Sequence, residues 1–178
     1  MNKEIKPLKF SGKWDFDPAP ESIDHITIKE QYGLFINGKF ENPQTGNYFP
    51  SINPANEEHL SMIAEAGEKD INAAVSAARK AFDGPWSKMS AKERGKYIFR
   101  IARLIQEKSR ELAVIETLDG GKPIRESRDV DVPIAAAHFF YYAGWTDKLN
   151  YAFPNRDPKP VGVAGQVIPW NFPLMMAA

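Results

Sequence analysis

Residues 161–178 constrain the chain more than any other stretch. Val161 to Ile168 is a short uncharged run punctuated by Gly162 and Gly165, and it ends where Pro169 and Pro173 frame Trp170, Asn171 and Phe172. A run of small and β-branched residues suits a strand buried on both faces, as in a parallel sheet. Proline has no N–H to give to a sheet ladder, so the strand ends at Pro169. Pro173 is placed as the first residue of a helix, where the missing N–H costs nothing. Strand, stiff aromatic-and-amide turn, helix is the first half of a βαβ unit, and α/β proteins bind ligands at such turns. The expected fold class is therefore α/β. The helix meets no Gly, Asn or basic residue before Ala178, and a parallel strand needs a crossover and a partner. The expectation is that these residues are the N-terminal part of a longer protein, its sheet truncated after one strand.

The totals exclude several classes. A chain of 178 residues with 43% apolar and 26% charged residues is ordinary for one globular domain. Lys plus Arg and Asp plus Glu are 23 each, so charge gives no case for nucleic acid or an anionic membrane surface. Met1 to Lys6 has no apolar segment of the secretory kind, which makes the cytoplasm the default expectation. The longest uncharged apolar stretch, Val132 to Trp145, is too short to span a bilayer. With no cysteine there is no disulfide, no thiolate metal site and no cysteine nucleophile within these residues. His25, His59 and His138 lack metal-ligand spacing and read as surface or packed histidines, so no metal is expected.

Four segments follow. Residues 1–31 read as an N-terminal arm tacked down by Trp14 and Phe16. Residues 32–148 read as a small β-meander followed by a helical layer. In the meander, Leu34-Phe35-Ile36 and Lys39-Phe40 flank the hairpin dipeptide Asn37-Gly38, Pro43 to Asn47 make a second turn, and His59 to Ala66 form another strand. In the helical layer, Ile71, Ala74, Val75, Ala78 and Phe82 lie on one stripe of a first helix, stopped by Asp83-Gly84-Pro85. Ser90 and Glu93 form a capping box for a second helix, with Ile98, Ile101, Ala102 and Ile105 on one face. Ser109 is placed to cap a third, which carries Leu112, Ile115 and Leu118 and ends at Gly120-Gly121 and Pro123. Asp131 with Pro133 opens a fourth, running to about Asp147, apolar almost all round and so expected to be mostly buried. Residues 149–160, rich in proline and charge, read as a linker, and residues 161–178 as the strand and helix start described above.

Chemistry concentrates on Asn171. Its NH₂ is a neutral donor able to stabilise an oxyanion if held rigidly between the two prolines. Equally, Asn171 suits the cap of the helix opened by Pro173, with Trp170 and Phe172 as core aromatics. Glu116 and Asp119, one helical turn apart beside Lys122 and Arg125, read as a structural ion pair or loop bond rather than a catalytic pair.

The run Gly162-Val163-Ala164-Gly165-Gln166-Val167-Ile168-Pro169-Trp170-Asn171-Phe172-Pro173-Leu174 resembles the signature of the NAD(P)⁺-dependent aldehyde dehydrogenases. Four upstream tags extend the resemblance in the same order: Phe35-Ile36-Asn37-Gly38, Asn53-Pro54-Ala55, Glu116 to Pro123, and Tyr141 to Trp145. It implies the N-terminal part of that fold and an oxidation of an aldehyde to a carboxylic acid by NAD or NADP, through a cysteine thiohemiacetal. It also implies that Asn171 holds the tetrahedral oxygen, that Ile168, Pro169 and Trp170 pack against the nicotinamide ribose, and that Phe172 and Met176 line the aldehyde tunnel. The family's cysteine, general-base glutamate and glycine-bearing dinucleotide turn fall downstream of the signature and have no counterpart here. Residues 149–160 match a shortened form of an arm that reaches a neighbouring subunit, so a homo-oligomer is implied for the full-length protein. The alternative is a finished, non-catalytic interaction or decoy subunit related to these enzymes. The nucleotide sequence past the codon for Ala178 separates the two.

Overall fold

Asn37 and Gly38 both adopt left-handed backbone (φ 53° and 79°), the geometry a two-residue hairpin turn demands. They join β2 (Leu34–Ile36) to β3 (Lys39–Glu41) as an antiparallel pair. This hairpin is a sheet of its own. The expected single meander is instead two sheets, the second built from β1 (Gln31–Tyr32), β4 (Tyr48–Ile52) and β5 (His59–Ala64) in the order β1-β5-β4. β1 runs parallel to β5 and β4 antiparallel to it, with a register shift between Ser51 and Ile52. Here a computed structural model describes residues 23, 24 and 26–178. Most of the expected arm, including Trp14, Phe16 and His25, lies outside the described residues.

Asp70 binds the small sheets to the helices. It is buried at the third position of α1 (Glu68–Ala81), accepts from Gly67 N–H at 2.9 Å, and accepts from Gln44 N–H at 3.1 Å. One carboxylate thus caps the helix and holds the Pro43–Asn47 turn. The apolar stripe expected on α1 is only partly covered: Ala74 and Phe82 are half-buried, but Ile71 and Val75 are exposed. Beyond it a wide turn over Phe82–Trp86 breaks at Gly84, where the stop signal sits.

The helical layer holds the core. Ser90 Oγ accepts from Glu93 N–H and Glu93 Oε2 accepts from Ser90 N–H, which is the capping box read from the sequence, at the start of α2 (Ala91–Glu107). α3 (Ser109–Gly120) follows almost without interruption. Lys108 occupies its N-cap and Ser109 is already inside the helix, so Ser109 makes no cap; Lys108 N–H still bonds back to Leu104. Gly121, left-handed at φ 68°, ends α3 as expected. The next helix begins earlier than Asp131: α4 (Ile124–Glu126) and a wide turn over Ser127–Asp131 lead into α5 (Val132–Trp145). Asp131 is in helical conformation with its carboxyl turned inward, which removes it as a cap. Ile105, Ala113, Val132 and Ala136 form the buried cluster between α2, α3 and α5, with Leu112, Ile124, Phe139, Phe140 and Leu174 packed against it.

Two further expectations change. α5 is only half covered, since Tyr141 and Tyr142 are about as exposed as surface residues (61% and 60%). Residues 161–168 form no ladder, and Val161 and Val167 are fully exposed. A strand is stable only when its N–H and C=O groups pair with a neighbour, and none of the described residues supplies one beside this run. Before it, residues 149–160 contain α6 (Leu149–Ala152) and are otherwise irregular and exposed. The chain closes with α7 (Pro173–Ala177).

Candidate functional site

The residues singled out from the sequence stay together because they are contiguous in one turn. Phe172 is the N-cap of α7 and Pro173 its first residue, as the proline's fixed φ favours. Asn171 lies one residue outside the cap and gives the helix no side-chain bond. Its exposed amide has no hydrogen-bond partner among the described residues. Of the three residues expected to face the nicotinamide ribose, Ile168 is half-buried, Pro169 exposed and Trp170 94% exposed. Of the two assigned to the aldehyde tunnel, Phe172 is half-buried and Met176 half-exposed, and Met176 N–H bonds to Phe172 C=O at 2.9 Å. Leu174 fastens α7 to the core.

Beneath this turn sits a cluster of charge. Lys122 follows Gly121, where an added Cβ would stand 2.4 Å from Pro54 Cγ, so only glycine lets the chain turn here. The Lys122 ammonium then reaches back under α3. It pairs with Asp131, lies 3.6 Å from Glu116 Oε1, and donates at 2.8 Å to the backbone carbonyl of Asn171. It also stands 4.2 Å from the centroid of the Phe172 ring, within cation–π range. Glu116 and Asp131 are buried, and both Glu116 oxygens and Asp131 Oδ1 lack hydrogen-bond partners. Burial, followed by the neighbouring Asp131 carboxyl, pushes the Glu116 carboxyl up to about 7, against a smaller pull downward from Lys122.

The ion pair of Glu116 with Lys122 agrees with the structural reading of these residues, whereas Asp119 turns away and accepts from Ser51 Oγ at 2.5 Å. Asp131 and the bond from Lys122 to Asn171 were not legible in the sequence. The pair with Asp131 joins positions nine residues apart and the bond to Asn171 positions 49 apart, and no local pattern announces either contact. Chemically, the turn offers a neutral N–H donor beside an open apolar wall, anchored from below by a cation.

The Aldehyde dehydrogenase family matches residues 40–178. A mitochondrial aldehyde dehydrogenase, family 2 member B4, of Arabidopsis thaliana is 47% identical over 171 residues, which cover 90% of this chain and 32% of that protein. Among solved structures, an NAD-dependent aldehyde dehydrogenase from Sinorhizobium meliloti superposes with a TM-score of 0.77 at 35% identity, covering 91% of this chain and 34% of its own. An NAD⁺ complex of an aldehyde dehydrogenase from Bacillus cereus gives 0.72 at 38% identity, with 84% of this chain and 32% of its own covered. The chain spans about a third of the length of the curated relatives it matches. The structural neighbours make the architecture a partial α/β fold of that kind. With more than half of its length matched in sequence and its fold shared, the chain belongs to the aldehyde dehydrogenase family.

Proposed function

We propose that these residues are the N-terminal portion of an enzyme that oxidises an aldehyde to a carboxylic acid with NAD⁺ or NADP⁺, and that Asn171 holds the substrate oxygen. The observation that carries this reading is the state of Asn171. Its backbone carbonyl is tied down by Lys122 at 2.8 Å, while its side-chain amide is exposed and takes no part in capping α7. A donor that is anchored through its backbone but unspent at its side chain suits a carbonyl oxygen that gains negative charge as a nucleophile adds. The nucleophile is not among these residues, which contain no cysteine.

The surface at Ile168, Pro169 and Trp170 fits part of a nicotinamide nucleotide: it is apolar, stiffened by proline and uncovered. When bound there, the nicotinamide would accept hydride from the substrate carbon. Phe172, at the N-cap of α7, and Met176, within it, would present the apolar wall that an aldehyde passes. Residues 149–160, exposed throughout, suit contact with another subunit of a homo-oligomer.

Substitution of Asn171 in the full-length protein carrying these residues tests the reading. Asn171→Ala is expected to lower kcat and kcat/KM together by roughly 10²- to 10³-fold, with little change in cofactor affinity. Asn171→Asp keeps the side chain's size but sets a negative charge against the developing oxyanion, and a folded, fully active Asn171→Asp enzyme would sink the assignment.

A further inference from the structure

Lys122 lies in a loop, where a lysine ordinarily keeps its ammonium in water, yet its side chain is only 16% exposed. A lysine ammonium has three N–H donors. Here they face Asp131, Glu116 and the carbonyl of Asn171, with the Phe172 ring against the same charge. Two buried carboxyls around one lysine are a poor way to gain stability, because apolar residues of similar volume usually do as well or better. The arrangement does supply a rigid donor. The acids hold the ammonium from the side of α3 and the Ser127–Asp131 turn, and its remaining donor points at the turn that carries Asn171. Leu174 packs against the core on the α7 side of that turn, but the turn's polar groups have little else to hold them. Trp170 and Val167 are exposed, and among the described residues no other hydrogen bond joins residues 161–171 to the helical layer.

We propose that Lys122 is a positioning residue for Asn171: clasped by Glu116 and Asp131, its ammonium anchors the Asn171 peptide and so sets the direction of the side-chain amide. The proposal rests on the reading of Asn171 as the oxyanion donor. A donor of that kind works only within a few tenths of an ångström of its place, which an exposed turn cannot keep without an anchor.

The test uses the full-length protein carrying these residues. Lys122→Met is expected to lower kcat roughly 10- to 100-fold, with the KM for aldehyde and the Kd for NAD⁺ moving less than about threefold. It should also speed amide hydrogen exchange in the peptide spanning 168–174 by about tenfold or more. Lys122→Arg, which keeps a cationic donor, should restore much of both. Removing the lysine alone strands two buried acids and can prevent folding, so Lys122→Met combined with Asp131→Asn is measured beside it and is expected to give the same losses. A folded double variant with unchanged exchange overturns the proposal, and so does one whose exchange quickens while kcat holds in an enzyme that Asn171→Ala cripples. If Asn171→Ala leaves turnover intact, the functional reading fails instead. Quickened exchange on loss of Lys122 would then still support the anchor.

Discussion

Glu116 is a carboxyl with neither of its oxygens hydrogen-bonded, held beside a second acid, and its titration has a defined sign. Its pKa rises from the ordinary 4.5 to about 7 in the folded chain, burial being the largest cause. The folded state therefore binds this proton more tightly than the unfolded one. Its contribution to stability is greatest below about pH 4.5, is lost between that value and about 7, and is level above. Glu116→Gln is expected to flatten that slope and to be more stable than the native protein at pH 8 by on the order of 1 kcal/mol or more. Urea unfolding at pH 5 and pH 8 checks it, and a native protein with no fall between the two values would contradict it. The sequence showed Glu116, Asp119 and Lys122 as neighbours along a helix end and no more. Which carboxyl enters the cluster depends on where the 127–131 turn crosses α3, and that is a long-range matter.

Gly95 illustrates how a pair of elements is fitted together. It is buried within α2 where α5 comes close, and an added Cβ would lie 2.5 Å from Thr146 Oγ1 and 3.1 Å from the Ala143 carbonyl oxygen. A glycine inside a helix forgoes about 1 kcal/mol of propensity relative to alanine. Overpacking a close contact costs about 1–3 kcal/mol, so close approach outweighs propensity here. Gly95→Ala should therefore lower the thermal midpoint, and the loss should shrink in a Thr146→Ala background. A Gly95→Ala chain as stable as the native one would mean that α2 and α5 can slide apart without cost. Ser90 and Glu93, by contrast, needed no partner element: the box closes within four consecutive residues and was readable directly.

The whole molecule leaves much apolar surface uncovered. Tyr97, Phe99 and Leu104 on α2 are exposed, as are Tyr141 and Tyr142 on α5, and Val161, Val167 and Trp170 near the end of the chain. Surface of this kind drives association when nothing covers it. The purified 178-residue chain is expected to self-associate as its concentration rises, visible as a shift in sedimentation. A monomer over the whole range, with one sharp and concentration-independent unfolding transition, would contradict that. Among the described residues no helix is long and apolar enough to cross a membrane.

Local chemistry alone determined the Asn37-Gly38 hairpin, the capping box of α2, the glycine stop of α3 and the proline start of α7. Each depends on φ preferences or on hydrogen bonds between residues a few positions apart, so each is written in a short window of sequence. The family signature at 162–174 is legible for the same reason, being contiguous. Tertiary structure alone decided the rest. It separated the β2–β3 hairpin from the β1-β5-β4 sheet, turned Asp131 from a cap into a buried partner of Lys122, and left residues 161–168 without a ladder. Strand pairing and charge burial depend on which distant segment arrives alongside, and a periodic pattern in one segment carries no record of its neighbour.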